Sequence, residues 1–407
     1  MIRNIAIVHT DFRLYWPARL QRLNDFLARK GVGLSVVEIA GKGSPYCFDL
    51  GSGADSALQW TQLFASRRME EIAAGEAADA VCRKLEELQP DAVIAGPVAF
   101  PAGAAAVRWC SRKRRPVVVF DDARLDDVPR PSYVDWIKRQ VYSLVDAMMI
   151  PAPTHDSTYL HFGFRQEQLF YGVDVVDNDF FASEGIPSRP EPGAGDGFPD
   201  APFFLAVGRQ VVKKNWNKLL VAFRQAIGNP AMDGWSLVFI GDGEVHAELV
   251  ELSGEFQGNR VYFLPFRSQQ DLVHYYRRAS ALVLPSLFGE SWGLVVNEAM
   301  ASGLPVLVSR KCGCAEALVH DTVNGYVFDP DDLTGIEMAL VKFAGFDAAQ
   351  RSEMGEASQR IIADWGLDRF AKGAWDAVSF AHANGKRSGS FAGRRIISYW
   401  NGRYRPT

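Results

Sequence analysis

Short apolar runs recur along this chain in two series, separated by a segment rich in proline and glycine. The first series lies at residues 5–9, 34–39, 91–96, 116–120 and 146–150, with amphipathic stretches such as 18–30 and 67–88 between the runs. The second lies at 203–207, 236–240, 260–264, 281–284, 305–309 and 325–328. Runs of this length, joined by crossover helices, are what strands of a parallel sheet covered on both faces require. Each series therefore predicts a doubly wound α/β domain. Between them, Ile186-Pro-Ser-Arg-Pro-Glu-Pro-Gly reads as a linker. The expected division is 1–185, a linker at 186–202, a second domain at 203–370, and a closing helix with a basic tail at 371–407 that folds back on the first domain. Ligands of such sheets bind beyond the carboxyl ends of the strands, so the expected site is a cleft between the two domains.

Composition narrows the function classes. A chain of 407 residues is long enough for two cores. A net charge of −4 argues against nucleic acid as the main partner. The five cysteines, at 47, 82, 110, 312 and 314, are odd in number and unpatterned, as expected in a reducing cytoplasm. Cys312-Gly-Cys314 has no companion Cys/His pair nearby and reads as packed thiols, so no metal site is expected. No run approaches the roughly 18 apolar residues of a membrane span, and residues 3–9 read as a first strand instead of a signal peptide. Residues 386–407 carry six Lys or Arg and no acid, with Phe391, Tyr399, Trp400 and Tyr404 among them. That segment reads as a closing helix and solvated tail. The alternative is a weak contact with anionic lipid or substrate, and a lipid contact would place the protein peripherally at the inner membrane face.

The chemistry concentrates after the strand at 281–284. There Phe288-Gly-Glu-Ser-Trp-Gly-Leu-Val-Val-Asn-Glu298 places two carboxylates, Glu290 and Glu298, around an expected helix start at Gly293. Strand, glycine-bearing loop and helix form the layout that binds phosphate at a helix N-terminus. A carboxylate on either side can accept paired hydrogen bonds from vicinal hydroxyls, and together these suggest a sugar nucleotide. Glu298 lies about 7–8 Å along the helix axis from Gly293 at 1.5 Å per residue, the reach from a phosphate to a ribose edge. The alternative for Glu298 is an exposed helix glutamate. Earlier, Val207-Gly208-Arg209 ends a strand, and Lys213 and Lys214 follow. A planar guanidinium and a compact ammonium suit phosphate oxygens; ion pairs at a helix end are the other reading. Gly241-Asp-Gly243, Leu264-Pro-Phe266-Arg267 and residues 310–316 follow three further strands, so these loops gather at one end of one sheet.

In this combination the second domain resembles the retaining glycosyltransferases of GT-B fold, the large family-4 group of glycosyl group-1 transferases. The matched pattern runs through Gly208-Arg209 with Lys214, Gly241-x-Gly243, Leu282–Ser286, Glu290 to Glu298, Ala301-Ser-Gly-Leu-Pro-Val306 and Asn324-Gly325. The resemblance implies a GT-B fold, two doubly wound Rossmann-like domains facing a cleft. It implies that Arg209 and Lys214 bind the donor diphosphate, with Gly208 and Gly241 in the loops around it. Glu290 and the amides of Ser291, Gly293, Leu294 and Val295 would contact the transferred sugar and diphosphate. Glu298 would hold the ribose, and Phe266 with Arg267 would face the base. Arg209, Lys214 and Glu290 would be the catalytic set.

The first domain matches this pattern in layout only. Thr10-Asp-Phe-Arg-Leu-Tyr-Trp16 stands where the family often has a Gly-Gly loop, and Phe120-Asp-Asp-Ala-Arg124 stands where it often has a histidine. The motif Gly-Gly-x-x-Glu reads here as Cys312-Gly-Cys-Ala-Glu316. Asp11, Tyr15, Trp16, Asp122 and Arg124 are the acceptor-side candidates. His9 reads either as a packed histidine or as a group acting on the acceptor hydroxyl. Tyr46 and Trp60, like Tyr15 and Trp16, read either as core or as stacking surfaces. The implied reaction moves a sugar from a UDP- or GDP-type donor to a hydroxyl of a glycan or lipid-linked acceptor, with retention, no cofactor and no metal. An epimerase of the same fold and a non-catalytic sugar-nucleotide-binding protein are the alternatives.

Overall fold

The computed structural model describes residues 1–42, 58–127, 129–183, 202–254, 260–384 and 389–404. Tyr46, Cys47 and nearly all of the expected linker lie outside these residues. The chain divides into two compact units, one formed by Met1–Val176 with Leu367–Thr407 and the other by Asp177–Gly366. Residues 177–183, expected in the first domain, thus belong to the second unit. There Asn178 Nδ2 donates to Ile362 O at 2.8 Å, and Phe181 packs edge-on against Tyr276.

The first unit holds seven parallel strands: β1 (Asn4–His9), β2 (Gly33–Ala40), β3 (Gln59–Phe64), β4 (Ala92–Ala95), β5 (Val117–Phe120), β6 (Ala147–Ile150) and β7 (Leu169–Tyr171). Their order is β3-β2-β1-β4-β5-β6-β7. The period of two in a strand divides the core. Ala6, Val8, Val117, Val119 and Met148 face one hydrophobic layer, and Ile5, Ile7, Val118, Phe120 and Met149 face the other. Helices Ala74–Leu88 and Pro101–Lys113 cover the first layer; Trp16–Ala28 and Leu367–Ala383 cover the second.

The second unit holds six parallel strands: β8 (Phe203–Val207), β9 (Ser236–Ile240), β10 (Val261–Leu264), β11 (Ala281–Leu284), β12 (Val306–Ser309) and β13 (Gly325–Phe328), in the order β10-β9-β8-β11-β12-β13. The order reverses between β8 and β11, whose loops therefore diverge at the carboxyl edge. That crevice is where doubly wound sheets hold ligands. In the first sheet the equivalent point lies between β1 and β4.

Two edge strands, β3 and β7, were not expected: β3 mixes polar and apolar residues, and β7 is only three residues long. The helix expected over 67–88 starts only at Ala74, because Glu71 turns back to accept from the Arg68 amide at 2.9 Å and closes a separate turn. The end of the chain also differs from a solvated tail. Helix Phe391–Tyr399 docks on the first unit: Arg108 donates to Ile397 O and Trp400 O, and Trp400 Nε1 donates to Val98 O at 2.9 Å. Deleting the fully buried Phe370 ring, which meets Trp16 edge-on, should cost the first unit about 3–5 kcal/mol. Urea unfolding of Phe370→Ala measures it, and a loss under about 1 kcal/mol would mean that helix Leu367–Ala383 is not integral to this core.

Candidate functional site

The loops after β8 and β11 are joined by one short ion pair at the switch point. Lys214 closes a 3-10 turn, Val212–Lys214, after β8. Its Nζ lies 2.6 Å from Glu290 Oε2, which also accepts from Ser286 Oγ at 2.9 Å. Lys214 is 8% exposed, so the pair is largely out of water, where an ion pair persists only if its partners are well placed. Burial raises the Glu290 carboxyl, but the Lys214 charge and hydrogen bond, the Ser286 hydroxyl and the Lys213 charge outweigh it and hold the group below its ordinary value. Lys213 Nζ donates to Gly289 O at 3.3 Å, and Leu287 N donates to Lys213 O at 2.8 Å, so the two loops are stitched on both sides of the pair.

Glycine makes this edge of the sheet possible. Gly241 sits at φ +136°, and a methyl group there would lie 2.2 Å from Gly208 O. The β8 and β9 loops are therefore in backbone contact, through Gly208 N to Ile240 O at 3.0 Å and Gln210 N to Asp242 O at 2.8 Å. Gly293 sits at φ +107° and caps helix Leu294–Ala301; the expected helix start moves by one residue. A left-handed cap without a side chain leaves the first-turn amides facing outward. Gly313 N donates to Glu290 O and Cys314 N to Trp292 O, which fixes the loop that carries those amides.

The other donor-side candidates fall around this edge. Arg209 is half-buried directly after Gly208, and its carbonyl accepts from Trp216 Nε1 at 2.9 Å. Ser291, Leu294 and Val295 are half-buried. Phe266 is 47% exposed, and Arg267 Nε donates to Tyr275 OH at 3.2 Å. Glu298 is not an exposed helix glutamate. It is 1% exposed and accepts from Tyr276 OH at 2.5 Å. Cys312 and Cys314 are buried free thiols. Among the described residues no group of three or more His, Cys, Asp or Glu could hold a metal ion.

In the first unit, His9 ends β1 inside a ring of aromatic side chains. Phe120, Trp16 and Phe12 lie 5.1, 5.4 and 5.5 Å from it, centroid to centroid. Its Nδ1 lies 2.8 Å from the Asp11 carbonyl. A carbonyl only accepts, so Nδ1 carries the proton. Burial among these rings holds the imidazole below its usual value, against the pull of Asp11. Tyr15 and Trp16 lie beneath the Arg19 guanidinium, which donates twice to Val175 O. Trp60 is committed to packing, with Nε1 donating to the buried Glu38 at 3.0 Å.

Asp122 and Arg124 are half-buried after β5, beside two carboxylates that sequence reasoning missed. Asp121 accepts from Tyr142 OH and Ala123 N, and burial with the Asp122 charge pushes its carboxyl up. Asp174, after β7, has a buried Oδ2 with no hydrogen-bond partner; burial and the Asp122 charge push it up to about 7, against Arg19. No pattern marks Asp174, because the strand before it is only three residues long.

Residues 194–360 match the family described as glycosyl transferases group 1. The second unit belongs to that family. An uncharacterized glycosyltransferase of Methanocaldococcus jannaschii is 28% identical over 227 residues, which are 52% of this chain and 51% of that protein. The chain spans about half or less of the length of the first curated relatives that it matches. Among solved structures, a glycosyltransferase from Rickettsia africae is similar with a TM-score of 0.72 at 12% identity, over 93% of this chain and 98% of that one. The Anabaena HepE protein in complex with UDP and glucose is similar with a TM-score of 0.68 at 16% identity, over 93% and 100%. The fold is that of GT-B glycosyltransferases, with two parallel sheets of seven and six strands.

Two outcomes follow for stability. Glu290 is held below its ordinary 4.5, so its contribution is present above that pH and is lost as the pH falls through the lower folded value. The stability gap between the native protein and Glu290→Gln, measured by denaturant unfolding, should therefore narrow on acidification below 4.5. Asp174 has the opposite sign. An acid raised from 3.8 to about 7 costs stability as the pH rises across that interval. Asp174→Asn should melt above the native protein at pH 8, with the difference vanishing at pH 3.8 and below.

Proposed function

We propose that this protein is a retaining glycosyltransferase. It moves a sugar from a nucleoside diphosphate sugar to a hydroxyl of a glycan or lipid-linked acceptor and uses no metal. The observation that carries this reading is the buried Lys214–Glu290–Ser286 cluster beside the side-chain-free cap of helix Leu294–Ala301, at the switch point of the sheet. The family match of the same unit supports it. A departing diphosphate develops negative charge, and fixed cations and amide dipoles stabilise such charge best in a site that excludes water. Arg209 and Lys214 supply the cations, and the amides of residues 293–295 supply the dipoles.

Glu290, oriented by Lys214 and Ser286, accepts from the hydroxyls of the transferred sugar. A carboxylate engaged on one oxygen by two donors is a poor nucleophile, so the reading favours front-face displacement over a covalent intermediate. Glu298 serves the ribose, which requires the Tyr276 hydroxyl to share or yield Oε2. Phe266 and Arg267 face the base in this reading. The UDP bound by the Anabaena relative in fold favours a uridine donor. Asp11, Tyr15, Trp16, Asp122 and Arg124 remain the acceptor-side proposals.

UDP at 100 times its dissociation constant should add about 2.7 kcal/mol of stability, read as a thermal shift. Arg209→Ala and Lys214→Ala should each lower kcat/KM for donor turnover by roughly 30- to 1,000-fold, about 2–4 kcal/mol. Normal turnover in both variants, with circular dichroism unchanged, would sink the assignment.

A further inference from the structure

We infer that helices Ser132–Tyr142 and Phe391–Tyr399 of the first unit form a docking face for an anionic membrane surface. The two helices pack on each other. A Cβ at Gly393 would lie 2.1 Å from Gln140 O, and Ser390 N donates to Ser143 Oγ at 2.9 Å, so they form one rigid layer. Their outer sides are unusual for a soluble surface. Tyr133 is 65% exposed, Trp136 53%, Ile137 38%, Phe391 79% and Tyr399 70%. Elsewhere among the described residues, large exposed apolar side chains are mostly single aliphatics, the ordinary case.

The charges on the same helices have one sign outward. Arg139, Arg394, Arg395 and, just after the second helix, Arg403 are exposed. Residues 389–404 contain no acid. The one acid of the first helix, Asp135, faces Arg130 at 3.6 Å and His161 at 3.3 Å. Lys138 turns inward over the Phe162 ring. Arginines interleaved with tyrosine, tryptophan and phenylalanine suit the headgroup layer: the rings occupy the interface and the cations meet anionic lipid. The chain as a whole carries −4, so such attraction would be local and not a matter of bulk charge. A symmetric contact between two copies through this face would set these arginines against themselves, which favours the lipid surface over a second copy.

The test uses the full chain and sedimentation with vesicles of phosphatidylcholine containing about 30 mol% phosphatidylglycerol. The protein should pellet with these vesicles, stay in the supernatant with pure phosphatidylcholine, and be released by salt. Arg394→Glu with Arg395→Glu should lower the partition coefficient by at least about 25-fold, taking roughly fivefold per basic residue. Trp136→Ala with Phe391→Ala should lower it as well, and all these side chains are exposed, so the variants keep the native melting temperature. Arg83→Glu with Arg360→Glu, which makes the same charge change elsewhere, should bind like the native protein. The inference is overturned by no binding to anionic vesicles, equal binding to neutral ones, native binding by the Arg394/Arg395 variant, equal loss in the Arg83/Arg360 variant, or pelleting without vesicles. None of these outcomes depends on donor or acceptor chemistry, so this inference and the glycosyltransferase reading fail separately.

Discussion

The arrangement of the second unit depends on the contact between Lys214 and Glu290. These residues belong to loops that leave neighbouring strands on opposite sides of the switch point, where nothing in the sheet itself holds them together. A buried ammonium and a buried carboxylate are each costly alone. At 2.6 Å they neutralise each other and draw the two loops into one wall. The ion pair thus fixes loop geometry as well as supplying charge. Its energy is bound up with the approach of Gly241 to Gly208 and with the left-handed cap at Gly293, since a side chain at Gly241 would drive the neighbouring loops apart.

The readable part of the sequence was the part under two-sided burial. A strand covered on both faces has no freedom to be polar, so the inner strands β8, β9 and β11 could be bounded from apolar runs alone. Edge strands have that freedom. In β3, Gln59-Trp-Thr-Gln-Leu-Phe64 mixes polar and apolar residues without a clear period, and β7 is three residues long; neither departs visibly from loop composition. The donor-side candidates stood out in the sequence for a related reason. Glycines at fixed offsets and acids beside a helix start are expensive unless the backbone or a ligand needs them. Tyr276, Asp121 and Asp174 gave no such sign, because their surroundings come from neighbours that are distant in sequence.

The first unit treats its carboxyl edge differently. Where the second unit keeps glycine-lined loops and cations, this one fills the switch region with Phe12, Trp16, Phe120 and the ring of His9. Gly96 is what admits the histidine, since a Cβ there would lie 2.7 Å from its Cδ2. The carboxylates of Asp121, Asp122 and Asp174 stand beside this aromatic block with Arg19 as the nearby cation. The result is a buried aromatic block with carboxylates beside it.

The chain leaves the first unit at Val176 and returns to it at Leu367. Phe370, Ala371, Ala374, Ala377, Val378 and Ala381 line one of the two hydrophobic layers of its sheet, and Ile397 joins the other. During synthesis, the six strands of the second unit emerge as one continuous stretch and can close their core at once. The seven strands that emerged earlier keep part of one apolar layer uncovered until helix Leu367–Ala383 has been made. Domains that appear first usually fold first; here completion of the first unit's core waits on a segment made after the whole of the second unit.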